Sequence, residues 1–138
     1  MIRYLVTCGL SLLIACQNNE PDPQLAEAFE AHQLALKTLD SLDQTLETLQ
    51  SQPLSDEQQE ELARIQEAHE QWESHLVEVP GYAHAEGHDH AHDHHHDHAM
   101  EEMMKDAPPS EILKIQQALL QEVQRLLDEA RQLLAITQ

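Results

Sequence analysis

Apolar residues recur every three or four positions over three long stretches of this chain, and that spacing admits helices and little else. In the first stretch the positions are Leu25, Phe29, His32, Leu36, Leu39, Leu42, Leu46 and Leu49, with a histidine standing on the stripe. In the second they are Leu62, Ile65, His69, Trp72, Leu76 and Val79. The third carries two columns of seven-residue spacing, Ile112, Leu119, Leu126, Leu133 and Leu113, Leu120, Leu127, Leu134, joined by Ile115, Val123 and Ala130. No segment shows the period of two that a half-buried strand requires. The expected fold class is all-α.

Start and stop signals divide the stretches. Asp22 is a good N-cap and Pro23 suits the first helical position. Pro53 ends the first helix, and Ser55 with Gln58 forms a capping box ahead of Glu60 and Glu61 for the second. Pro80 and Gly81 stop the second stripe, and the third helix is expected from Ser110. The narrow second stripe suits close antiparallel packing on the first helix, whereas the wide third stripe can meet two neighbours. The expectation is an antiparallel up-down-up three-helix bundle over residues 25–138, with a long histidine-rich loop at 82–109 between helices two and three. A turn centred near Ser51 to Leu54 brings His32 level with Glu73, beside Trp72 and His69 or His75, and sets Phe29, Trp72 and Leu76 in one layer.

The N-terminus has a different character. Arg3 precedes an apolar run from Tyr4 to Ala15 that breaks into Gln17, Asn18, Asn19 and Glu20. Residues 1–15 have the charge, length and position of a signal peptide, and the run is too short for a mature membrane span, which needs roughly 20 apolar residues. Leu13, Ile14, Ala15 and Cys16 resemble the lipobox of bacterial lipoproteins, in which the cysteine receives lipid before cleavage. That resemblance implies acylation of Cys16 and a mature chain beginning there. Residues 16–24, polar and holding Pro21 and Pro23, then read as a tether from the lipid. Cys16 would be the sole cysteine left, so no internal disulfide is expected. Gln17 stands where enteric lipoproteins retained in the inner membrane carry aspartate, which leans towards an outer-membrane location facing the periplasm or the cell surface.

Charge narrows the partners. The formal net charge is -19, and loss of Arg3 would make the mature chain one unit more acidic. Such a surface repels nucleic acid and anionic headgroups, leaving membrane attachment to the acyl chains.

The chemistry is concentrated in one tract. His84, His88, His90, His92, His94, His95, His96 and His98 are interleaved with Asp89, Asp93 and Asp97. An extended chain would align the even-numbered histidines on one edge, and a helix would stack His88, His92 and His96 in one column. Either backbone offers ligands at workable spacing. Neutral imidazole suits zinc, nickel and copper(II), while the carboxylates add oxygen ligands or hold an imidazole N–H. With four donors to a tetrahedral zinc, the tract is expected to form one site with many interchangeable ligands. The competing reading is a solvated acidic loop with no metal task. Met100, Met103 and Met104 supply thioethers suited to copper(I), but at their spacing they read first as the apolar edge of a short helix. His32, His69 and His75 are read first as histidines filling apolar positions, with a second metal site between them as the alternative.

The tract resembles the histidine-rich loops of zinc transporters and periplasmic zinc-binding proteins. The overall plan, a lipobox, two helices, the stretch His69 to Gly81 running as HEQWESHLVEVPG, a histidine tract and a leucine-rich last helix, looks like small histidine-rich lipoproteins of Gram-negative bacteria. That resemblance implies envelope location and helical architecture, and brings no activity with it. Two functions follow as expectations: a membrane-anchored lipoprotein that buffers or delivers zinc, with copper or nickel as other suitable metals, and a structural adaptor that holds an envelope protein partner. An enzyme is not expected, because no nucleophile is paired with a base and a thin bundle leaves little room for a pocket. Intact-mass analysis of membrane-extracted protein should show an acylated chain beginning at Cys16, and Cys16→Ser should yield an uncleaved or soluble form.

Overall fold

The computed structural model describes residues 22–82 and 104–137. The expected signal segment, Cys16 and most of the expected tether lie outside the described residues. Of the described residues 81% are helical and none lies in a strand. Helix α1 runs Pro23–Gln50, α2 Asp56–Ser74 and α3 Pro109–Ala135, and residues 104–106 are also helical.

Local chemistry sets the helix starts. Asp22 accepts the Gln24 N–H at 2.8 Å with Pro23 in the first turn. Ser55 and Gln58 close the reciprocal box at the head of α2, each side chain accepting the other's backbone N–H at 3.3 and 2.9 Å. The head of α3 uses Pro108 and Pro109 with no side-chain cap, one residue ahead of the expected Ser110.

Packing sharpens the stripes into seams. On α1 the buried residues Ala28, His32, Ala35, Leu39, Leu42, Leu46 and Leu49 alternate by four and three, with Leu36 beside them. On α3 Ile112, Gln116, Leu119, Val123, Leu126, Ala130 and Leu133 do the same. Of the two leucine columns read in α3, the first is fully buried. The second lies at the margin, with Leu113, Leu120 and Leu134 only partly covered. A strict alternation of this kind is the spacing of knobs-into-holes packing.

Helix α3 is the shared partner. It packs extensively on α1 and also on α2, while α1 and α2 meet at few points. The expected seam between α1 and α2 is therefore corrected: the apolar face of α2 is spent mainly on α3. Trp72, 1% exposed, shows it, since its indole N–H donates to the Leu119 carbonyl of α3 at 2.8 Å. Two turns earlier, at the middle of α2, Arg64 reaches Glu129 of α3 at 2.7 Å. Those two pairs run in opposite chain directions, so α2 is antiparallel to α3. Burial of Glu129 would raise its pKa, but Arg64 and Arg125 outweigh that and hold it below the usual carboxylate range.

The second correction concerns the end of α2. The stripe reads as helix up to Pro80, but α2 stops at Ser74 with His75 as its cap. Val77 and Val79 are both buried, at 4% and 3% exposure. Burial of two residues two apart matches the alternation of extended chain, and the proline at 80 disfavours helical backbone at Val79. Trp72→Ala should destabilise the protein by about 3 to 5 kcal/mol, the range for removing a buried large aromatic. Urea unfolding followed by far-ultraviolet circular dichroism measures it.

Candidate functional site

The end of the molecule at which Tyr82 and Met104, the described residues flanking the tract, lie is built on one buried amide. Gln116 is 0% exposed and stands in the innermost column of α3, with Val123 and Ala130 at seven-residue steps. Its Nε2 donates to the Val77 carbonyl at 2.8 Å, and its Oε1 faces His32 Nδ1 at 3.2 Å. Because the amide nitrogen must face a carbonyl, the oxygen is left for the histidine. Nδ1 of His32 then has to be the protonated nitrogen that donates. Three parts of the chain, α1, α3 and the segment after α2, are tied at this point.

From Val77 the chain reaches a tight turn. The Tyr82 N–H donates to the Val79 carbonyl at 3.2 Å, with Pro80 and Gly81 at the two central positions. Gly81 has φ +84°, the left-handed value that a turn of type II demands at its third residue. Tyr82 then stacks on Phe29 of α1, ring centres 4.5 Å apart and planes inclined by 19°. Its hydroxyl is buried without a hydrogen-bond partner among the described residues.

Beside this turn lies a cleft of about 200 Å³ lined by Glu78, Val79, Pro80, Gly81, Tyr82, Met104 and Lys105. It brings together Tyr82 and Met104, the two described residues that flank the tract. The two described segments therefore end and resume beside the same cleft. Met104 is 3% exposed and belongs to the core, so its packing reading holds. Met100 and Met103 lie outside the described residues.

The predicted metal ligands, His84, His88, His90, His92, His94, His95, His96, His98, Asp89, Asp93 and Asp97, all fall outside the described residues. The three other histidines do not come together. His32 is 4% exposed against Gln116, His69 lies near Asp43 and Glu73, and His75 is exposed. The expectation that His32 sits beside Trp72 and His69 or His75 assumed that α1 and α2 form the main seam. With α3 taking the larger part of the packing, His32 finds Gln116 as a partner that the expected seam did not supply. Among the described residues no group of three His, Cys, Asp or Glu side chains is arranged to hold a metal ion.

Gln116 escaped the sequence reading because it is polar, although its position was legible. It stands four residues after Ile112 and three before Leu119, inside the apolar alternation.

Comparison with known proteins finds no relative: no family model matches the chain, nor does any curated protein or solved structure. No helix of the described residues is long and apolar enough to cross a membrane.

Gln116→Met should cost about 1 to 3 kcal/mol, because the buried Val77 carbonyl loses its donor. The neighbouring exposed change Gln117→Met should stay within about 0.5 kcal/mol. Parallel urea titrations of the two variants test the distinction.

Proposed function

We propose that this chain is a lipid-anchored envelope protein that binds divalent transition metal, zinc first, through residues 84–98, for buffering or delivery. In this reading the helices form an up-down-up bundle, and the tract is a loop at the end nearest the lipid.

One observation carries the reading: Tyr82 and Met104 line the same cleft. A segment anchored at two adjacent points has already lost part of its chain entropy, so imidazoles within it need less further ordering to converge on one ion. The cost of that ordering still leaves moderate affinity and ready exchange, which suit buffering better than a closed structural site. The acidic charge of the chain works in the same direction by raising the local concentration of cations. Other metals, copper(II) or nickel, compete for the same donors.

The adaptor reading has less behind it. Among the described residues the large apolar side chains left exposed are Leu34 and Ile136, at 47% and 71%. Singly exposed side chains are ordinary on a monomer surface, and a docking face would need a contiguous patch.

Calorimetric titration at pH 7.5 should show zinc binding by the intact protein. At pH 5.5 binding should be weaker, because imidazoles with an ordinary pKa of about 6.5 are protonated there and have no lone pair to give. Deleting residues 84–98 should abolish binding while leaving helical content and melting temperature nearly unchanged, since the described seams and caps use none of those residues. Undiminished binding by the deletion would overturn the assignment of the tract. No binding by either protein would favour the adaptor.

A further inference from the structure

His69 occupies a seam position of α2 yet meets carboxylates where leucines would be expected. Its spacing continues the alternation of Leu62, Ile65, Trp72 and Leu76. Its Nε2 lies 3.1 Å from Asp43 Oδ1, across on α1, and 3.7 Å from Glu73 Oε1, one turn further along α2. The contact with Asp43 is close though not aligned as a directed hydrogen bond, and a proton on Nε2 strengthens it. Since α1 and α2 otherwise meet at few points, this contact joins two helices that share only a sparse apolar interface.

Two kinds of occupant suit an imidazole nitrogen between carboxylates: a metal ion or a proton. A metal ion needs the side chains to converge on a common point, which no such group among the described residues does. A proton on Nε2 needs only that the carboxylates flank the nitrogen, as they do here. We propose that His69, Asp43 and Glu73 form a proton-operated clasp between α1 and α2, closed when the imidazole is charged and slack when it is neutral.

The groups acting on the ring are Asp43 from α1 and Glu73 and Glu70 from α2, and no charged group of α3 is among them. Burial opposes the charged form, but Asp43, Glu73 and Glu70 outweigh it, and the pKa of His69 stands above the ordinary histidine value. A group whose pKa is raised by folding contributes its full stability below the unfolded value, and that contribution is lost as pH rises through the folded value. The clasp is therefore closed in mild acid and opens towards alkaline pH. Acid has the opposite effect on histidine ligands of a metal, which it discharges. The clasp does not depend on the metal reading, because none of its residues lies in the tract.

The test uses the full chain with a chelator present. Nuclear magnetic resonance titration of the His69 ring, assigned by its disappearance in His69→Gln, should give a midpoint above the ordinary value of about 6.5. In Asp43→Asn that midpoint should move down. Asp43 is 45% exposed, so this variant keeps the packing of α1. Its urea midpoint should fall below that of the wild type at pH 5.5, and the difference should shrink or vanish at pH 8.5. A wild-type His69 midpoint at or below the ordinary value, or an Asp43→Asn effect equal at both pH values, would overturn the clasp. In chelator-free buffer, a His69 signal that responds to added zinc at constant pH in the chain lacking residues 84–98 would make the group a metal site and overturn it as well.

Discussion

A primary amide cannot be buried cheaply unless both of its ends find partners. Gln116 meets that condition by reaching His32 on α1 and the Val77 carbonyl beyond α2, from a position on α3 with 0% exposure. Much else at this end of the molecule depends on it. The bond to Val77 holds the segment after α2 against α3, with Val77 and Val79 both in the core and the Pro80 and Gly81 turn beside the head of α1. Tyr82 can then stack on Phe29 and meet Met104 across the cleft. The position of Tyr82, the last described residue before the tract, is a consequence of one side-chain amide.

Each helix carries one polar residue within its apolar alternation: His32 in α1, His69 in α2 and Gln116 in α3. Leucines packed on leucines tolerate a slip of a turn with little penalty, whereas a buried polar group is satisfied in one register only. His32 and Gln116 fix α1 against α3. In the proposed clasp His69 and Asp43 tie α1 to α2, and the indole of Trp72 fixes α2 against α3 through the Leu119 carbonyl. These contacts add modest energy, yet they select one arrangement from several that the leucines alone would accept.

The arrangement also separates two histidine chemistries by location. His32 is held between helices in a defined tautomer, and His69 is flanked by carboxylates that favour its charge. Neither shares a cluster with the other, and neither belongs to the tract. In the proposed function the tract responds to metal and acid without drawing on the helix seams, so loading and release of metal leave the helical body undisturbed.

The heptad spacing, the Asp22 cap, the Ser55 and Gln58 box and the prolines at the helix boundaries are local matters, and they made the helical fold readable over residues 22–82 and 104–137. The histidine tract was likewise visible as composition, because ligand chemistry is a property of side-chain type. What could not be read was the choice of neighbours. An amphipathic stripe states that a face must be buried but not against which helix, since leucine offers the same apolar surface to any partner. Only when α3 lies against both other helices does α2 turn its tryptophan to Leu119, does the helix end at Ser74 to let Val77 meet Gln116, and does His69 find Asp43. Local sequence signals act over a turn or two of backbone, whereas these contacts join residues such as His32 and Gln116 that are distant along the chain, and only packing in three dimensions brings them together.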